Sequence, residues 1–334
     1  MQTVTVLGAG SWGTALAVHL GRLGHDVRLW ARDRALVADM TARRANAVYL
    51  PDIVLPESVS IAETLAGALD GAAIVVSAIP SHGCRAVIRE AAPHAAPGAV
   101  FVSATKGFEG DTLLRMSEVI AQETGGSHAV VVLSGPSFAL EVARQFPTAI
   151  LAASSDTAAI ALVQSEFRGP YFRLYGSDDV VGVEMGGAMK NTIAIAAGVV
   201  EGLGLGHNAL AALITRGLAE LTRLACAAGG RRDTLAGLSG LGDLVLTCTG
   251  SLSRNRHVGI ELARGRQLSD ILAGMKMVAE GVRTTNAALA LGARYGVELP
   301  IAMQMADVLA GRVDVRTALD ALMLRRQRAE AEGG

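Results

Sequence analysis

The sequence predicts an α/β domain on a doubly wound sheet, followed by an all-α domain. Three observations predict it. Short apolar runs alternate with helical stretches from residue 3 to about residue 178. Several of these runs, Ala73–Ile79 above all, are unbroken in apolar residues, as strands buried on both faces of a parallel sheet require. Beyond residue 178 no strand-like run recurs, and long stretches of alanine, leucine and glycine take over. We therefore divide the chain into residues 1–178 and residues 179–334.

The first strand is Thr3–Leu7, and Gly8, Gly10 and Gly13 follow it in G-x-G-x-x-G spacing before an apolar helix over Thr14–Leu23. Gly8 allows the tight turn, Gly10 lets a pyrophosphate approach the backbone, and Gly13 lets the helix pack closely on its strand. The helix start adds free N–H groups and the positive end of a dipole. A second strand, Asp26–Ala31, arrives at the expected distance and completes a dinucleotide fingerprint. Arg32 at its end suits a 2′-phosphate, which favours NADP(H), while Asp33 next to it keeps NAD(H) possible through the ribose 2′-hydroxyl.

After a helix over Arg34–Arg44, the segment from Tyr49-Leu50-Pro51 to Pro56 reads as an extended loop fixed by two prolines. Ser58–Ala62 and Ala73–Ile79 are strands separated by a short alanine-rich helix, and the βα period continues with Ala99–Ser103 and Ala129–Leu133. Their ends carry Pro80-Ser81-His82, Ala104-Thr105-Lys106-Gly107 and Ser134-Gly135-Pro136-Ser137. Three polar or glycine-bearing loops thus point to one carboxyl edge, where such sheets bind ligands. Thr148–Ala153 and Tyr171–Tyr175 add two strands. Helices are expected over Gly186–Glu201, Asn208–Ala228, Arg254–Arg264, Arg283–Tyr295 and Ile301–Ala310 from their apolar spacing.

Composition narrows the function. A net charge of −1, with 18% charged residues, lacks the basic face that nucleic acid binding needs. The most apolar segment, Val181–Leu205, is broken by Glu184, Lys190 and Glu201, so no membrane span is expected. The strand at residues 3–7 leaves no room for a leader, and three scattered cysteines suggest a reducing compartment, so the expected location is cytoplasmic. Seven dispersed histidines and the absence of HExxH, paired CxxC or EF-hand loops argue against a metal site. Gly135–Ala139 approaches a nucleophile elbow but lacks its final glycine.

Of the 30 basic residues only three are lysines: Lys106, Lys190 and Lys276. Lysine, unlike arginine, can give up its proton near neutral pH when its surroundings allow. Lys190 and Asn191 lie in the run GGAMKNTIAIAAG, where small residues permit close approach and apolar ones desolvate an amine. Burial there lowers an amine's pKa toward the range useful for proton exchange. A lysine reaching the surface from a helix end is the alternative. In residues 237–257, Asp243 follows a glycine-rich turn and Ser253-Arg254-Asn255 opens a helix. A hydroxyl, a guanidinium and an amide at a helix start suit a phosphate dianion, though an ordinary serine cap beside a surface arginine has the same sequence. Lys276–Gly281 places a charged pair among apolar residues and reads equally as a turn.

The strings GAGSWGTALA, SATKGFE, SGPSFA, GGAMKNTIAIAAG, GLGDLVLTCTGSLSRNR and VAEGVRT occur in this order over nearly the whole chain. Together they resemble the bacterial NAD(P)-dependent glycerol-3-phosphate dehydrogenases. The resemblance implies a Rossmann domain joined to a helical domain, and interconversion of dihydroxyacetone phosphate and sn-glycerol 3-phosphate for phospholipid synthesis. It also implies a homodimer. Carried over by motif, Ser11, Trp12, Arg32, Tyr49, Lys106 and Ala139 would contact the cofactor. Lys106, Gly135, Ser137, Lys190, Asp243, Ser253, Arg254 and Asn255 would line the substrate site, with Arg254 shared by both ligands. Val278 and Glu280 would close over the cofactor, and Thr247 would reach the substrate. Lys190 becomes the general base in oxidation and the general acid in reduction, with Lys106 and Asp243 tuning it. Two rival readings of the same residues are a 3-hydroxyacid dehydrogenase and a non-catalytic NADPH sensor.

Overall fold

The computed structural model describes residues 1–275 and 279–326. They form two compact units, the first comprising Met1–Glu109 and Leu114–Val180, the second Gly110–Leu113 and the described residues from Val181 onward.

The first unit holds an eight-stranded sheet. Its strands are β1 (Thr3–Leu7), β2 (Asp26–Trp30), β5 (Val59–Ala62), β6 (Ile74–Ser77), β7 (Val100–Ser103), β8 (Val130–Ser134), β9 (Thr148–Ala153) and β10 (Phe172–Ser177); β3 (Ala45–Asn46) and β4 (Leu50–Val54) form a separate hairpin. The spatial order is β10-β9-β8-β7-β6-β1-β2-β5. The winding of the chain along the sheet reverses between β1 and β6, so the loops after these two strands flank the switch point of a doubly wound sheet. Alternate residues of the central strands enter cores on opposite faces. Val4, Val6, Ile74, Val76 and Val102 pack with Leu16 and Leu20 of helix Ser11–Arg22 and Phe167 of helix Thr157–Phe167. Leu7, Val75 and Phe101 pack with Ile88 of helix Ser81–Ala91 and Ile120 of helix Met116–Glu123. This double burial explains the unbroken apolar runs.

Two expectations change here. The sheet is not parallel throughout, because β9 runs antiparallel to β8, pairing Val132 with Ala153 and Ser134 with Leu151. The link between them carries only the five-residue helix Ala139–Ala143 in place of the longer helix usual in a parallel crossover. The segment read as an extended loop from Tyr49 instead supplies β4 of the hairpin, which Arg44 anchors by donating to the Val59 and Pro56 carbonyls.

Among the described residues the second unit is helical. Its central helix, Val180–Gly202, begins six residues before the expected Gly186 and is buried over nearly its whole length. Glycines set its neighbours. A Cβ at Gly198 would collide with the Arg256 carbonyl, and one at Gly259 with the Ile195 carbonyl, so helix Arg254–Ala263 crosses Val180–Gly202 at backbone contact. A Cβ at Gly186 would stand 2.6 Å from the Ser239 carbonyl oxygen, so the turn leading into helix Asp243–Thr249 also packs closely on this helix. No helix among the described residues is long and apolar enough to cross a membrane, and Cys84, Cys226 and Cys248 are free thiols.

Candidate active site

The glycine turn after β1 is closely packed at two of its three glycines. Gly8 adopts φ +108°, and a Cβ there would stand 2.7 Å from the Ala78 carbonyl oxygen after β6. A Cβ at Gly13 would collide with the Gly8 carbonyl, so helix Ser11–Arg22 packs directly on the turn. Gly10 differs: nothing lies within 4 Å of a Cβ placed there. The backbone is thus open at the glycine expected to face a pyrophosphate and closed at the two expected to pack. A dinucleotide fits the residues present.

Around this turn, Ser11 Oγ donates to the Tyr49 carbonyl at 2.7 Å, bringing two of the expected cofactor residues together. Trp12 is half-buried, and its buried indole Nε1 has no hydrogen-bond partner among the described residues. At the end of β2, Arg32 is exposed. Asp33 caps helix Arg34–Arg43, its Oδ1 accepting from Ala35 N at 2.8 Å and Leu36 N at 3.2 Å. One oxygen of the carboxylate that would take a ribose hydroxyl is therefore committed to the helix start.

The loops after β7 and β8 also meet. Lys106 Nζ donates to the Gly135 carbonyl at 2.9 Å, and Ser137 Oγ donates to the same oxygen at 3.0 Å. Gly135 stands at φ +138°, with Ile150 Cα 3.0 Å from where a Cβ would be, so a side chain here would be both strained and crowded. Thr105 Oγ1 donates to the Ile79 carbonyl at 2.6 Å, tying the Lys106 loop to the loop after β6. Ala139 starts the short helix that follows.

In the second unit the expected proton-exchanging lysine is enclosed. Lys190 is 7% exposed and Asp243 1%. Lys190 Nζ donates to Asp243 Oδ1 at 2.5 Å and to Thr247 Oγ1 at 2.7 Å, while Thr247 in turn donates to the Asp243 carbonyl at 2.6 Å. Asp243 and Thr247 lie one helical turn apart on Asp243–Thr249 and so present neighbouring oxygens to one ammonium. The surface alternative for Lys190 is thereby removed. Carboxylate and burial act on the amine in opposite senses, the first favouring its charged form, the second its neutral one. Burial pushes the adjacent Cys248 thiol up to about 12, so it stays protonated and unreactive.

Ser253 does cap its helix, its Oγ accepting from Arg256 N at 3.2 Å, and its O–H proton is not needed for that role. Arg254 is exposed, and desolvation by the surrounding protein lowers its pKa, with Glu280 opposing. Its guanidinium nevertheless remains cationic near neutrality. Asn255 is buried: its Nδ2 donates to Asn191 Oδ1 at 2.9 Å and its Oδ1 accepts from Gly281 N at 3.0 Å. That bond places Glu280, the first residue of helix Glu280–Tyr295, beside the start of helix Arg254–Ala263. Val278 and Lys276 lie outside the described residues. Asn191, noted in the sequence beside Lys190, gains its partner Asn255 only in the fold, and Asn46, not expected at the glycine turn, donates to the Ala9 carbonyl there; a lone asparagine reads as a turn former until its partners are known.

The family described as NAD-dependent glycerol-3-phosphate dehydrogenase N-terminus matches residues 3–160, and its C-terminal counterpart matches residues 179–320. The chain is 57% identical over 274 residues to the glycerol-3-phosphate dehydrogenase [NAD(P)+] of Koribacter versatilis, covering 81% of each chain. It is 52% identical over 272 residues to that of Geobacter sulfurreducens, again covering 81% of each. The crystal structure of glycerol-3-phosphate dehydrogenase from Coxiella burnetii superposes with a TM-score of 0.94 at 39% identity, covering 97% of this chain and 99% of the other.

Proposed function

Since the chain belongs to the NAD-dependent glycerol-3-phosphate dehydrogenase family, we propose a division of labour among its residues in that reaction. The activity is NAD(P)-dependent interconversion of dihydroxyacetone phosphate and sn-glycerol 3-phosphate. When bound, the nicotinamide supplies a hydride to the substrate's C2 or takes one from it.

Lys190 exchanges the proton on the C2 oxygen, giving it up in reduction and taking it in oxidation. Asp243 and Thr247 fix the direction of its Nζ, so the ammonium is oriented before substrate arrives. Arg254 takes the substrate phosphate, with Ser253 and Asn255 beside it, and this remote grip is turned into orientation at C2. Lys106, Gly135 and Ser137 contribute further polar contacts to the substrate. The single observation that carries this reading is the buried contact of Lys190 with Asp243 and Thr247, since it joins a group able to exchange a proton to the two that hold it.

Gly8, Gly10, Ser11, Trp12, Gly13, Tyr49, Lys106 and Ala139 hold the dinucleotide, with Arg254, Val278 and Glu280 completing its site. NADP(H) is preferred over NAD(H), because Arg32 is exposed at the strand end while Asp33 is engaged in capping a helix. The enzyme supplies glycerol 3-phosphate for phospholipid synthesis as a cytoplasmic homodimer. Absorbance of the reduced nicotinamide, followed with dihydroxyacetone phosphate and each cofactor in turn, tests the reading. Turnover should be faster at limiting NADPH than at limiting NADH and absent with a 3-oxo acid, and no turnover with dihydroxyacetone phosphate would remove it.

A further inference from the structure

Asn46 is 0% exposed and uses its side chain in three hydrogen bonds. Its Nδ2 donates to the Ala9 carbonyl at 2.8 Å and to Thr14 Oγ1 at 2.8 Å, and its Oδ1 accepts from Tyr49 N at 3.1 Å. The Tyr49 N–H can only donate, which settles which end of the amide is oxygen. Ala9 lies between the first two glycines of the fingerprint, so a side chain from the far end of the next βα unit binds the turn itself.

The consequence follows from the peptide plane. In a trans peptide the carbonyl of one residue and the N–H of the next point in opposite directions. With the Ala9 carbonyl drawn to Asn46, the Gly10 N–H is directed away from the hairpin. That N–H has no acceptor among the described residues, and the space beside Gly10 is open. An N–H held in place before the ligand arrives binds an anion without the cost of ordering it.

We propose that Asn46 is a positioning residue for the cofactor, orienting the Ala9–Gly10 peptide so that the Gly10 N–H meets the dinucleotide pyrophosphate. It rests on the reading of Gly8–Gly13 as a dinucleotide turn. A purely structural Asn46 would hold the hairpin and Tyr49 in place and affect every part of the cofactor alike; an orienting Asn46 affects the pyrophosphate.

The test uses Asn46→Asp, which keeps size and the acceptor for Tyr49 but sets an oxygen against the Ala9 carbonyl, and Asn46→Ser, which removes the contact without adding charge. NADPH affinity is read by fluorescence titration, and adenosine 2′-monophosphate, which carries the 2′-phosphate but no pyrophosphate, is read as a competitive inhibitor. Both variants should raise the Kd for NADPH at least tenfold and leave the inhibition constant of adenosine 2′-monophosphate within twofold. Thr14→Val, which leaves the Ala9 bond intact, should change the Kd less than threefold. In the unaltered protein labelled with ¹⁵N-glycine, the Gly10 amide proton should move downfield on adding NADPH and stay in place with adenosine 2′-monophosphate. Equal losses for both ligands, an NADPH Kd within twofold of wild type, or an unmoved Gly10 resonance would overturn the proposal. An unaltered protein that does not bind NADPH would instead overturn the dinucleotide reading beneath it.

Discussion

Lys190 Nζ stands 2.5 Å from Asp243 Oδ1, and the two side chains are among the most deeply buried charged groups of the second unit. A buried pair of this kind is weak support for stability, since replacing both partners by apolar groups often costs nothing, but removing one partner leaves a charge stranded at about 3–5 kcal/mol. Stability therefore does not account for the pair, and what the ammonium does is the better explanation.

Asp243→Asn tests that explanation because it keeps shape and removes charge. An amine beside a carboxylate holds its proton to higher pH than one beside an amide. Reduction of dihydroxyacetone phosphate needs the protonated amine, so activity is lost as pH rises. In the variant that loss should set in at lower pH, with kcat at the plateau reduced. A basic limb unchanged between the two proteins would separate Asp243 from the proton transfer.

Arg32→Ala should weaken NADPH binding by roughly 1.5–3 kcal/mol, the range of a charge-assisted hydrogen bond, and NADH binding far less. Fluorescence titration with each cofactor measures both. Equal losses would mean that Arg32 does not meet a 2′-phosphate.

Arg254→Ala should lower kcat/KM for dihydroxyacetone phosphate far more than for unphosphorylated dihydroxyacetone. Only the first presents a dianion to the guanidinium. A surface arginine next to a helix cap would leave both values near wild type, and a uniform fall would point to the cofactor alone.

Glu220 gives a pH dependence with a definite sign. Its carboxylate is buried and accepts from Ile301 N at 2.6 Å and Ala302 N at 3.4 Å at the start of helix Pro300–Leu309. Burial raises its pKa to about 7, against the pull of those two N–H groups. The folded chain therefore holds a proton here that the unfolded chain has already released, so stability falls as pH climbs from the ordinary carboxylate range to about 7. The loss is on the order of 3 kcal/mol at most. Glu220→Gln has no proton to lose, and its melting temperature should fall less between pH 5 and pH 8 than that of the wild type. Parallel curves would show that Glu220 titrates normally.

How far the site was legible depends on what each residue has to satisfy. The turn after β1 was readable because Gly8 and Gly13 are imposed by contacts that no other residue fits, and such contacts leave a fixed spacing. The rarity of lysine drew attention to Lys190, but spacing could not distinguish a buried Lys190 from one reaching solvent. That required the approach of Asp243–Thr249 from 53 residues away. Direction in the sheet was not legible either, because an apolar run such as Thr148–Ala153 reports burial on both faces and nothing about which way the strand runs. The hairpin of β3 and β4 was missed because Pro51, which read as fixing a loop, sits inside a short two-stranded ribbon. Asn46, Asn191 and Glu220 owe their roles to distant partners, and single polar residues of this kind carry no periodic signal.

The proposed mechanism requires Lys190 to move a proton, and Lys190→Arg tests this most directly, because arginine keeps the charge but cannot give up a proton near neutral pH. General acid–base groups contribute about 10²–10⁴-fold, so kcat for dihydroxyacetone phosphate reduction should fall at least roughly 100-fold. NADPH affinity and the circular dichroism spectrum should stay near wild type. A folded Lys190→Arg enzyme with near-normal kcat would contradict the mechanism and leave Lys106 as the group to examine.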